Sequence, residues 1–156
     1  MTHNDVIRSV RYLLDASDSR IGEILKIGGR ESTLDEVRGF LKMHEDEGCV
    51  PVDDKTMAQF LDGLIVSRRG RDETRPAPPL EPKITNNIVL KKLRVAFELK
   101  DADLHAIFEA ADCKISKPEL SAFFRKPDNA HYRPCGDQFL RYFLKGLTLR
   151  MRPSSA

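Results

Sequence analysis

Apolar residues nowhere run uninterrupted for anything near the roughly 18 needed to cross a bilayer, so no membrane span is expected. The opening stretch, MTHNDVIRSVRYLL, lacks a basic segment leading into an unbroken apolar one, and a secretory signal is not expected either. Cysteine is scarce. Cys49, Cys113 and Cys135 form no C-x-x-C pair, and an odd number argues against a disulfide framework and for a reducing cytoplasm. A phosphate loop is missing too, because the turn Ile27-Gly-Gly-Arg30 has neither G-x-G-x-x-G spacing nor a lysine followed by a hydroxyl.

What is present suits a soluble globular protein. The 156 residues are 40% apolar and 32% charged, enough for one ordinary domain or two very small ones. The net charge of +2 conceals a division. Residues 1–70 carry 10 Lys/Arg against 13 Asp/Glu, or −3, and residues 87–156 carry 13 against 8, or +5. The second half therefore faces something anionic, faces the acidic first half, or merely has solvated basic surfaces.

FLDGL at Phe60–Leu64 returns as FLKGL at Phe143–Leu147. A shift of 83 residues aligns the two and matches Asn4–Arg69 to Asn87–Arg152 without a gap. In that register 14 of 66 positions are identical, against about four by chance. They include Asn4/Asn87, Asp18/Asp101, Ile24/Ile107, Asp54/Asp137, Gly63/Gly146 and Arg69/Arg152. The chain is a tandem duplication.

Each copy is predicted to hold four helices. Val6, Ile7, Val10, Leu13 and Leu14 recur at helical spacing, as do Val89, Leu90, Leu93, Ala96 and Phe97. Asp18 and Asp101 are expected to cap the second helix of each copy. Thr33 with Glu36, and Ser116 with Glu119, form capping boxes for the third, read in copy one as LDEVRGFLKMHEDE. The fourth begins near Asp54 or Asp137, and both acids are read as capping groups. Phe60, Leu61 and Leu64 then make an apolar stripe with Gly63 beside it, repeated as Phe143, Leu144, Leu147 and Gly146. An interior glycine costs about 0.5–1 kcal/mol against alanine, so its recurrence points to a close helix crossing.

The expected fold is all-α: helical repeat one over residues 1–69, a spacer over 70–86, and helical repeat two over 87–152. Four prolines within residues 76–82 predict an extended, semi-rigid spacer. Pro76-x-x-Pro79 matches a PxxP ligand only formally. A unit of about 65 residues is marginal alone, so the copies are expected to pack together with pseudo-symmetry.

The segments NDVIRSVRYLL, FLDGLIVSRRGRDE, NNIVLKKLRVAFELK and CGDQFLRYFLKGL resemble the YehS-like family of small bacterial proteins, over almost the whole chain. That resemblance implies a bacterial cytoplasmic protein and carries over no catalytic residues, because the family has no established activity.

No constellation for catalysis stands out. His44-Glu-Asp-Glu47 with Asp53 is an acidic helix end that copy two does not repeat. Cys135 near His131 lacks an activating base at a defined spacing. The expectation is a non-enzyme without cofactor or metal: a protein-interaction or regulatory module with a protein partner. The alternative is RNA or DNA binding by the basic second repeat, with Lys91, Lys92, Arg94, Arg141 and Lys145 as the anion-facing surface. Helices two and three of copy one loosely resemble a helix-turn-helix, but the third is acidic.

Overall fold

The computed structural model describes residues 1–152, which hold eight helices and no strand. Copy one contributes α1 (His3–Leu14), α2 (Asp18–Ile27), α3 (Leu34–Leu41) and α4 (Asp54–Arg69). Copy two contributes α5 (Asn86–Ala96), α6 (Asp101–Ala110), α7 (Lys117–Phe123) and α8 (Asp137–Met151). The 83-residue shift carries every helix start onto its counterpart, from His3/Asn86 to Asp54/Asp137. The spacer has no helix before Asn86, where α5 begins, and is exposed apart from half-buried Glu81 until Ile84, which is buried.

Local chemistry sets the helix starts. Thr33 Oγ1 accepts the Glu36 N–H and the Thr33 N–H reaches back to Glu36; Ser116 and Glu119 repeat this capping box. The second helices depart from expectation by one residue. Ser17 caps α2, accepting the Arg20 N–H, and Lys100 precedes α6, so Asp18 and Asp101 are first-turn residues. Their carboxylates instead meet Arg11 and Arg94 at 3.2 and 2.8 Å. Those arginines are themselves an identical pair, so one ion pair occurs twice.

A glycine crossing builds the core of each copy. A Cβ on Gly63 would lie 2.0 Å from the Ile24 carbonyl oxygen, and one on Gly146 would lie 1.9 Å from that of Ile107. Helices α4 and α8 therefore press their backbones onto α2 and α6, and only glycine fits. Gly28 is pinned likewise, its Cβ position 1.8 Å from the Gln59 carbonyl oxygen, while Gly29 takes φ +99° to turn the chain. Packing and turning explain the Gly-Gly pair that resembled no phosphate loop.

A buried asparagine holds each long loop. Asn4 Nδ2 donates to the carbonyls of Phe40 and Val50 at 3.0 and 2.8 Å, and its Oδ1 accepts the Val52 N–H at 2.9 Å. Asn87 makes the same three bonds to Phe123, Arg133 and Cys135. These bonds satisfy backbone groups that α3 and its loop would otherwise bury unpaired. They also help to explain why α3 stops at Leu41 and does not continue through Glu47: the chain turns so that the Val50 N–H can reach the Gly39 carbonyl.

The copies are intertwined. Helix α1 packs on α8, and α5 packs on α4. Exchanging α1 with α5 and α4 with α8 turns one contact into the other, which defines a pseudo-two-fold relation of isologous type. One apolar core spans both copies, from Ile7, Phe40 and Phe60 to Leu93, Phe108 and Phe143.

Candidate functional site

The two inter-copy contacts are equivalent in sequence register but unlike in chemistry. At the α4–α5 seam, Ala58, Leu61 and Ile84 are buried. Lys92 Nζ lies 2.9 Å from Asp62 Oδ1, with the two side chains only 18% and 23% exposed. That ion pair and its apolar neighbours close the seam.

At the α1–α8 seam the same positions hold other residues. Ser9 stands where Lys92 does, Lys145 where Asp62 does, and Arg141 where the buried Ala58 does. A groove opens there, lined among others by Arg8, Tyr12, Met43, Arg141, Lys145 and Leu149. Tyr12, Met43 and Leu149 are 61%, 46% and 42% exposed and rank among the few large apolar side chains left in solvent. Among the described residues, neither Arg141 nor Lys145 forms an ion pair, whereas Arg8 is tied to Asp5. Arg141 and Lys145 stand four residues apart on α8, hence on one face.

The five residues proposed to meet an anion are therefore divided. Lys92 is spent on Asp62 within the α4–α5 seam. Arg94 bonds Asp101 and the Leu99 carbonyl and lies over the Phe124 ring, a structural role shared with Arg11. Lys91 is exposed on α5, at the position equivalent to Arg8. Only Arg141 and Lys145 share a groove. Nothing in the sequence marks Tyr12, Met43 and Leu149 as exposed, because each falls at or beside a helical stripe that suggests core. The charge reversals Ser9/Lys92 and Asp62/Lys145 were visible as mismatches of the repeat and could have marked the seam.

The other acids and thiols have structural employment. Asp53 caps α4 by accepting the Thr56 N–H, and the Thr56 side chain together with that N–H holds its carboxyl below the usual range. Asp54 and Asp137 are not caps, as had been expected, but clasps between helices. His3 Nε2 donates to Asp54 at 2.7 Å and Asn86 Nδ2 to Asp137 at 2.8 Å, and the Met1 amino group also meets Asp137. Burial, with the nearby Asp137 charge, pushes the Cys135 thiol up to about 12, so it stays protonated at neutral pH. Residues His44 to Glu47 are exposed. Among the described residues, no three His, Cys, Asp or Glu side chains gather to hold a metal ion, and no helix is long and apolar enough to cross a membrane.

Fold and seam together define an all-α protein made of two intertwined four-helix repeats. The chain belongs to the DUF1456 family, described as a protein of unknown function, whose pattern matches residues 3–70 and again 86–152. It is 46% identical over 150 residues to the uncharacterized protein YehS of Escherichia coli (strain K12), covering 96% of each chain. No solved structure matches it.

Proposed function

We propose that this protein is a helical interaction module without catalytic activity of its own, and that it seats a protein partner on the α1–α8 seam. One observation carries the reading: of two seams equivalent by duplication, one is closed by Lys92–Asp62 and the other is an open groove with exposed Tyr12, Met43 and Leu149. Exposed apolar side chains gathered in one groove and rimmed by charge mark an interaction surface. The protonated, buried Cys135 supports the non-catalytic reading.

The test is site-specific photo-crosslinking in bacterial cells. A photoreactive residue at Leu149 should yield discrete protein adducts that the same probe at exposed Ala106 on α6 does not. Equal labelling at both positions, or none at either, removes the reading.

Nucleic-acid binding is the second reading, favoured by the +5 charge of residues 87–156. Arg125 and Lys126 add two exposed cations beside Phe124 at the end of α7. It carries less weight, because the basic residues are spread over the α4–α5 seam, the α1–α8 groove and the α7 end. Filter binding at low salt tests it; no retention of mixed RNA or DNA at about 10⁻⁴ M protein, the weak end of non-specific affinity, ends it.

A further inference from the structure

We infer that the occupant of the α1–α8 groove is an acidic amphipathic helix, its apolar stripe on Tyr12, Met43 and Leu149 and its carboxylates on Arg141 and Lys145. The inference rests on the proposed interaction role and names the chemistry of the partner.

Shape points to a helix. A trough between two packed helices suits a third, which reads it through anchors one turn apart. From Arg141 to Leu149 the α8 wall runs eight residues, about 12 Å at 1.5 Å per residue, room for roughly two turns. The lining supplies an aromatic ring, one face of which the Arg152 guanidinium covers at 4.3 Å, a thioether and a leucine, a set that accommodates Leu, Met or Phe anchors.

Charge points to acid. Of the charged groove residues, Asp5 and Arg8 satisfy each other, whereas Arg141 and Lys145 form no close ion pair among the described residues; the Asp137 carboxylate, one turn before Arg141 and held by the Met1 amino group and Asn86, feels Arg141 only at longer range. The duplicated seam shows what such a lysine takes when one is supplied: there Lys92 reaches across to the Asp62 carboxylate. In the groove, Lys145 replaces that aspartate, so this position of the seam offers a cation and no acid of its own. Because Arg141 and Lys145 are one helical turn apart, Glu or Asp residues spaced four apart on a partner helix would meet both.

The probe is a fluorescein-labelled peptide of about sixteen residues, ~24 Å as a helix, with a Leu/Phe stripe flanked by Glu. Its affinity for the full chain is read by anisotropy at low salt. It should bind at least 10-fold more tightly than two relatives: one with Lys for every Glu, and one of the same composition with the stripe scrambled. Arg141→Glu/Lys145→Glu should reverse the preference towards the Lys peptide. Leu149→Gln should weaken the acidic peptide several-fold, and Lys91→Glu, on α5 beside the other seam, should not change it. Circular dichroism checks that each variant folds.

Equal binding of the Glu and Lys peptides, or of the scrambled one, overturns the inference, as does indifference to Arg141→Glu/Lys145→Glu. Stronger binding of a mixed-sequence RNA to the same face, lost in that variant, overturns it in favour of nucleic acid. Adducts at Leu149 together with no acidic-peptide binding would leave the interaction role standing and the acidic helix refuted.

Discussion

Asn4 and Asn87 show how much one side chain can settle. Each is buried, and each spends its amide on two carbonyls and an N–H of the loop beyond the third helix of its copy. Alanine at either position would bury those groups unpaired, at roughly 1–3 kcal/mol for each that water cannot reach. Asn4→Ala and Asn87→Ala should each destabilise by about 2–4 kcal/mol, seen as a lower denaturant midpoint. Aspartate should do no better, because its second oxygen would face two carbonyls without a proton to give. The glycines act through absence. Gly63→Ala gains about 1 kcal/mol in helix propensity but sets a methyl carbon 2.0 Å from the Ile24 oxygen. Backbone blocks the way, so a net loss of roughly 1–3 kcal/mol is expected, and the same for Gly146→Ala. A midpoint at or above wild type would remove the crossing from the account. Acid sensitivity follows from the clasps. The His3 hydrogen bond holds Asp54 below its ordinary 3.8, and the amino-terminal and Asn86 hydrogen bonds do so for Asp137. A depressed carboxylate stabilises fully above the unfolded pKa, and that contribution is lost as pH falls through the folded one. The denaturation midpoint should hold between pH 5 and 7 and fall below about 4, and Asp54→Asn/Asp137→Asn should blunt that fall.

Helices α4 and α8 descend from one segment yet meet their partners differently. Both press a glycine onto the second helix of their own copy, Gly63 onto Ile24 and Gly146 onto Ile107. On the side turned to the other copy, α4 offers Ala58 and Asp62 and α8 offers Arg141 and Lys145. Importing the closed arrangement is the direct test. Ser9→Lys/Lys145→Asp places at the groove the charge pair that joins α5 to α4. Stability should stay the same or rise by up to about 1 kcal/mol, the range of a partly exposed pair. Adduct formation at Leu149 should disappear. Adducts that persist unchanged would show that the groove is not what the partner recognises.

At the scale of the molecule, each copy completes the other. The last helix of one copy rests on the first helix of the other in both directions, and one core runs through both. A single copy would expose half of that seam at a size where burial barely offsets chain entropy. Residues 1–76 and 77–156, produced separately, should therefore lack cooperative unfolding or pair with themselves. Mixed, they should regain the full chain's helicity as a one-to-one complex, as measured by circular dichroism and light scattering. A first fragment that is monomeric and fully helical alone would contradict the mutual-completion argument.

Periodicity, capping residues and an ungapped repeat are local or register properties, so the eight helices, the duplication and the recurring glycines were all legible in the order of residues. Several details were not. Asp18 and Asp101 gave way as caps because the residues before them precede the helix, and α3 stopped early because its loop bonds Asn4. The seam was also hidden. That Lys92 is spent and Lys145 is not depends on which helix of one copy lies against which helix of the other. No spacing along the chain encodes that, since the partners are brought together only by burying the apolar faces of both copies at once. Sequence determined the parts and their likeness; tertiary packing decided which of two matching seams closes on itself and which stays open to a partner.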